Sequence, residues 1–234
     1  MIKAVFFDLD GTLLPMDQDR FIKGYFGRLC KKMAPLGYAP DLLVKGIWMG
    51  TEAMIKNDGT CTNEERFWKV FPQICGDSVL EHVTVLDEYY ANEFQQVQED
   101  CGFNPNAAKV VSLVKEKGLI PVLATNPIFP SVATESRARW AGLDLRDFAY
   151  YTVYENSRYC KPNLDYYREI LRRLNLNGEE VLMVGNDVGE DMIAQQLGMK
   201  TFLVTDDLIN KHGEDINQWA HGNLEDLLSY LNGL

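Results

Sequence analysis

Five short stretches of the chain are almost wholly apolar: residues 2–9, 119–124, 148–153, 181–184 and 201–204. Continuous apolar runs of this length suit strands buried on both faces, as in a parallel sheet, better than the alternation of a half-exposed sheet. Between them the period changes to that of a helix. Ala107, Val110, Val111 and Val114 share one face, with Asn104-Pro105 as a start signal and Gly118 as a stop. Tyr166, Tyr167, Ile170, Leu171 and Leu174 form a second stripe. Met192, Ile193 and Leu197, closed by Gly198, form a third. Strand and helix in alternation predict an open α/β sheet with right-handed crossovers.

Residues 15–103 break this rhythm. They hold no strand candidate of comparable quality, and Phe21, Tyr25, Leu29 and Met33 recur at helical spacing, as do Val83, Leu86, Tyr90 and Phe94. The expectation is an all-helical domain over 15–103, inserted after the first strand of a sheet domain made of 1–14 and 104–234. Its aromatic residues Trp48, Trp68, Tyr89 and Tyr90 read as the core of that insert. The cations Arg20, Lys23, Arg28, Lys31 and Lys32 read as a solvated helix face, with Arg20 and Lys23 as candidates for the far end of a substrate.

Chemistry gathers at the ends of the predicted strands, where an open α/β sheet binds its ligands. The first strand delivers Asp8-Leu9-Asp10-Gly11-Thr12. On an extended strand residues 8 and 10 point the same way, and two neighbouring carboxylates repel unless a cation or a shared proton intervenes. A hard divalent ion such as magnesium meets that need. Thr125-Asn126 ends the run from Leu119, Lys161-Pro162 precedes the Tyr166 stripe, and Gly185-Asn186-Asp187, with Asp191 four residues beyond, ends the fourth run. A hydroxyl and a lysine are what phosphoryl oxygens require. Further carboxylates on a neighbouring strand end can complete a magnesium shell.

In this order, Asp-x-Asp-Gly-Thr, Thr-Asn, Lys-Pro and Gly-Asn-Asp-x-x-x-Asp resemble the four motifs of the haloacid dehalogenase superfamily, spanning Asp8 to Asp191. The helical insert resembles the cap of the subgroup that includes phosphoglycolate-type phosphatases and β-phosphoglucomutases. The resemblance implies a Rossmann-like core carrying a helical cap and a magnesium-dependent phosphatase acting through an aspartyl-phosphate. It casts Asp8 as nucleophile and Asp10 as acid and base, with the Asp10 backbone carbonyl on the metal. Thr12, Thr125, Asn126 and Lys161 would hold the phosphoryl group, Lys161 also neutralising its charge. Asp8, Asp10, Asn186, Asp187 and Asp191 form the expected magnesium site. Relatives commonly carry Gly-Asp where this chain has Gly185-Asn186, so either Asn186 or Asp187 takes the direct position. A phosphomutase, phosphonate hydrolase or dehalogenase on the same scaffold is the alternative, and a non-catalytic binding module ranks below these.

Composition narrows the partners. With 34 acidic against 23 basic residues the formal net charge is −11, which argues against nucleic acid and leaves a small phosphorylated substrate acceptable at a locally cationic site. The five cysteines are scattered, without the spacing of a zinc site, and read as reduced thiols. A charged N-terminal strand and the lack of a long apolar run predict a soluble cytoplasmic protein with no membrane partner; the oligomeric state is left open between monomer and homodimer. His82, His212, His221 and Cys160 read as structural.

Overall fold

A computed structural model describes residues 1–234. β1 (Ala4–Phe7) is followed by four helices, α1 (Gln18–Met33), α2 (Pro40–Ile55), α3 (Asn63–Cys75) and α4 (Val83–Ala91), and a 3-10 stretch Glu93–Asp100. The chain then alternates: α5 (Asn106–Glu116), β2 (Ile120–Leu123), α6 (Ser131–Trp140), β3 (Tyr150–Tyr151), α7 (Leu164–Leu174), β4 (Val181–Gly185), β5 (Lys200–Val204), β6 (Ala220–Gly222) and α8 (Leu224–Asn232). The six strands form one parallel sheet in the order β3-β2-β1-β4-β5-β6. This is a Rossmann-like α/β fold with helical content suited to a cap. No helix is long and apolar enough to cross a membrane.

β1 is central and flush with its neighbours: Phe7 is level with Leu123 on one side and Val184 on the other. The chain builds outward from β1 in one direction and then resumes from β4 in the other. The crevice at the carboxyl ends of β1 and β4 is therefore the switch point at which such sheets bind ligands. Val5 and Phe7 pack into the larger core on one face, while Ala4 and Phe6 join Tyr166, Tyr167 and Ile170 of α7 on the other. The two faces follow from the strand's period of two.

Several expectations needed correction. The first strand stops at Phe7 instead of Leu9, because the amides of Thr12, Leu13 and Leu14 all turn back onto the Leu9 carbonyl (2.8–3.1 Å). The third strand shrinks to Tyr150–Tyr151, an edge strand paired only with β2. The Met192 stripe is a 3-10 segment, Met192–Leu197, confined between Asp191 and a left-handed Gly198. Three elements carried no strong signal: β6 is short and half-exposed, α8 is brief, and α6 buries Ala133, Thr134, Ser136, Arg137 and Ala138, a face with no apolar stripe.

Within the insert, Phe21, Tyr25, Leu29 and Met33 do form the buried face of α1. They are continuous with the sheet's larger core, since Tyr25 meets Phe129 (centroids 5.6 Å apart) and Phe94 meets Trp140 (5.1 Å). The two chain crossings run side by side, with the Gly102 amide donating to the Pro15 carbonyl at 2.8 Å. The start of α3 touches the sheet domain as well. Buried Asn63 donates from its side chain to the Pro127 carbonyl (3.2 Å) and from its backbone to Ser157 (2.8 Å).

Candidate active site

The Leu9-centred turn sets the geometry of the first motif. Asp8 leaves the sheet with its amide still bonded to Val184 (2.9 Å), and Asp10 follows inside the turn. Both line one cavity of about 360 Å3 between the sheet and the helical insert. Gly11 sits at φ +80°, and a side chain there would lie 2.2 Å from the Asn186 amide nitrogen. Glycine is needed for both the conformation and the space.

The two carboxylates take different cations. The Lys161 ammonium, 1% exposed, lies 2.8 Å from Asp8 Oδ1 and 2.7 Å from Asp191 Oδ1. Burial alone would lower this ammonium, but the Asp191 and Asp8 carboxylates together outweigh it and hold Lys161 well above its ordinary value. Asp191 is itself fixed, its Oδ2 accepting the Asp187 amide at 3.0 Å. Gly185 makes room for it, since a Cβ there would overlap the Asp191 carboxylate at 2.1 Å. Asp10 pairs instead with Arg137 of α6, which is 1% exposed, donates to the Ala133 carbonyl (3.3 Å) and lies 4.5 Å over the Phe129 ring. Burial pushes the Asp10 carboxyl up against the pull of Arg137, and the charge of Asp8 adds to the rise. Asp10 Oδ1 is buried with no hydrogen-bond partner.

The remaining predicted residues surround this pair. The Thr12 hydroxyl reaches Asn186 Oδ1 at 3.0 Å and Asp8 Oδ2 at 3.4 Å. Thr125 lines the cavity while its carbonyl is held by the hydroxyls of Thr152 (2.6 Å) and Tyr166 (2.9 Å). Asn126 spans between the Lys161 amide (3.2 Å) and Glu190 (3.0 Å), and burial pushes the Glu190 carboxyl up to about 7.

Asn186 and Asp187 are placed differently. The Asn186 NH2 is tied to the Asp207 carbonyl at 2.6 Å, which turns its oxygen toward Thr12. Asp187 uses Oδ1 to accept the amides of Gly189 (2.8 Å) and Glu190 (3.0 Å), an Asx turn that shapes the loop, and its Oδ2 stands 3.9 Å from Lys211. No three acidic, histidine or cysteine side chains come together as a closed metal site. The Asp8 carboxylate and the Asn186 oxygen both meet the Thr12 hydroxyl and both residues line the cavity, and the Asp10 backbone carbonyl accepts no hydrogen bond. That set fits magnesium, which keeps several waters and asks little of the protein. Three carboxylates against two cations also leave the cluster net negative, which favours a cation there.

Sequence reasoning did not single out Arg137, Glu190, Asp207 or Lys211. Arg137 lies mid-helix with no motif and no apolar stripe around it to flag it. The aromatic residues of the insert also divide. Tyr89 is core, its hydroxyl bonded to the Tyr25 carbonyl (2.9 Å), but Trp48, Trp68 and Tyr90 line the cavity. Arg20 and Arg28 are taken by Asp100, and Lys32 by Glu93. Lys23 is exposed, and neither it nor Arg20 reaches the cavity. Cys160 is a packed thiol, pushed up by burial and contacted by Asn63.

A doubly wound parallel sheet with paired aspartates at the end of its central strand defines a class of hydrolases. The chain belongs to the haloacid dehalogenase-like hydrolases, whose family model matches residues 2–198. Among solved structures it is similar to a 2-haloacid dehalogenase from Pseudomonas syringae pv. Tomato (21% identity, TM-score 0.64, 100% of this chain and 99% of that one). It is also similar to a HAD phosphatase from Thermococcus onnurineus (20%, 0.62, 99% of each chain). A predicted phosphoglycolate phosphatase from Haemophilus somnus aligns over 98% of this chain and 97% of its own (14%, 0.59). No curated protein matches the sequence.

Proposed function

We propose that this hydrolase is a magnesium-dependent phosphatase of small phosphate monoesters, with 1–14 and 104–234 as its catalytic core and 15–103 as a cap over the site. The observation that carries this reading is the pairing of Asp8 with Lys161 while a second carboxylate, Asp10, lines the same cavity on its own cation. Displacing halide from carbon with a carboxylate needs no leaving-group acid, so Asp10 favours phosphate esters over haloacids.

Asp8 attacks phosphorus, the P–O bond to the alcohol breaks, and Asp10 gives the departing oxygen its proton. Asp10 then takes a proton from water as the water attacks the aspartyl-phosphate, which releases inorganic phosphate and restores Asp8. A carboxyl raised by burial and steadied by an arginine is suited to carry a proton both ways. Lys161 holds Asp8 and neutralises phosphoryl charge, while Thr12, Thr125 and Asn126 supply further polar contacts. Asp8, the Asp10 carbonyl and Asn186 would hold magnesium, whose charge would screen the phosphoryl oxygens from the carboxylates. Asp191 would steady Lys161 beside this site, and Asp187 shapes the loop that carries Asn186. The test is phosphate release from p-nitrophenyl phosphate: turnover with magnesium and none with EDTA is expected. Equal rates in both would refute the assignment.

A further inference from the structure

Above Asp8 and Asp10 the cavity continues between the helices of the insert, and its character changes. Phe21, Ile22 and Phe26 of α1, Trp48 and Ile55 of α2, and Trp68 of α3 form its wall. No lysine or arginine of the insert lines it, and Arg20, Arg28 and Lys32 are bound to Asp100 and Glu93. The one charged side chain the insert adds is the carboxylate of Asp87, exposed at the mouth, and the one lysine in the whole lining is Lys211, on the sheet side. Trp48, its ring 5.7 Å from that of Phe26, is 49% exposed, and Ile55 is 44% exposed. Large apolar side chains left open on a concave surface that runs into a polar reaction centre mark a ligand site.

From this juxtaposition we infer that the substrate is the phosphate monoester of a bulky, uncharged, apolar alcohol, such as an aryl or branched hydrocarbon alcohol with no second anionic group. The inference rests on the phosphatase reading for the reacting end and extends it to the other end. A carboxylate or second phosphate on the alcohol would be brought beside Asp87 and indole rings, where the insert offers no cation to receive it and desolvation goes uncompensated. An apolar group is drawn in by the area it buries, about fourfold in affinity for each buried methylene. Such binding acts alike on ground and transition states, so it lowers KM more than it raises kcat.

The test uses the full-length protein with magnesium and alkyl esters of comparable leaving group: ethyl, benzyl and 2-naphthylmethyl phosphate, beside phosphoglycolate and phosphocholine. The expected result is a rise in kcat/KM of at least tenfold from ethyl to naphthylmethyl, carried by KM, with phosphoglycolate no better than ethyl. Trp68→Ala should shrink the naphthylmethyl-to-ethyl ratio at least fivefold, and Trp48→Ala should do the same if folding impairs the first variant. A flat series, or a preference for phosphoglycolate or phosphocholine, overturns the inference. Calorimetry with 2-naphthylmethylphosphonate and methylphosphonate reads the same wall without turnover. Tighter binding of the former by tenfold supports the inference, and equal binding defeats it. No phosphate release from any ester, alongside a kept phosphonate preference, would fault the phosphatase reading alone.

Discussion

On the sheet side of the cavity, Asp8, Asp10 and Asp191 each meet a buried cation; on the insert side the wall is mainly aromatic and aliphatic, with Gln18 and Thr51 as neutral polar members and Asp87 as its one carboxylate. The first surface works by orientation. Lys161 and Arg137 are nearly inaccessible, and each is pinned by more than one contact, so the charges are fixed before a ligand arrives. The second works by area and tolerates change, because dispersion and burial are not directional. Substitutions on the polar surface should therefore strike chemistry or folding, and those on the apolar surface should alter selection.

The largest effect is expected for Asp8→Asn. An amide is nearly isosteric but a poor nucleophile, and steady-state turnover should drop by about 10⁴-fold or more. Thermal unfolding should show an intact fold. Substantial residual activity in pure variant would mean that the polar surface acts by some other nucleophile.

Lys161→Met tests whether this surface is also structural. It strands two buried carboxylates, and removing one partner of a buried ion pair costs about 3–5 kcal/mol. Denaturant unfolding should show a loss of that size without magnesium, partly recovered when magnesium is added. An unchanged midpoint would show that Asp8 and Asp191 do not depend on the ammonium.

Arg137→Lys sharpens the division within the polar surface, since a lysine keeps the charge and loses the planar fork. If Arg137 holds Asp10 in place to protonate the leaving group, kcat/KM should fall about 10²-fold for alkyl phosphates. For p-nitrophenyl phosphate, whose leaving group needs little protonation, it should fall less than about threefold. An equal loss on both substrates would reduce Arg137 to a packing role.

The smallest effects belong to the last motif. Asp187→Asn retains an acceptor for the Gly189 and Glu190 amides, so the magnesium needed for half-maximal activity should shift less than threefold, below the roughly tenfold typical of a ligand's supporting partner. Asn186→Asp adds charge at the metal but sets a carboxylate against the Asp207 carbonyl. Unfolding without magnesium should come at lower temperature, with the magnesium requirement no weaker than in the parent. A tenfold shift in Asp187→Asn would instead place Asp187 at the metal.

The parallel sheet was legible from the chain because a doubly buried strand is written in consecutive apolar residues, as in β1, β4 and β5. Asp8, Thr125 and Asn186 were legible because each lies just past such a strand, and strand ends in register must share one crevice; Lys161 lies well beyond the short edge strand β3 and was legible from its motif alone. The convergence of Asp8 and Asp10 was anticipated for a reason that does not hold: the Leu9-centred turn, and not strand alternation, brings them together. Arg137 lay outside sequence reasoning because α6 buries small and polar residues and so presents no apolar period. Its partner is 127 residues away, and only packing makes them neighbours. The same holds for the orientation of Asn186, set by a carbonyl 21 residues further on. It holds also for Trp48 and Trp68, which are apolar at helical spacing like any core residue. Whether an apolar side chain covers another or faces a cavity is decided by where the insert comes to rest on the sheet, a long-range packing outcome that no local pattern encodes.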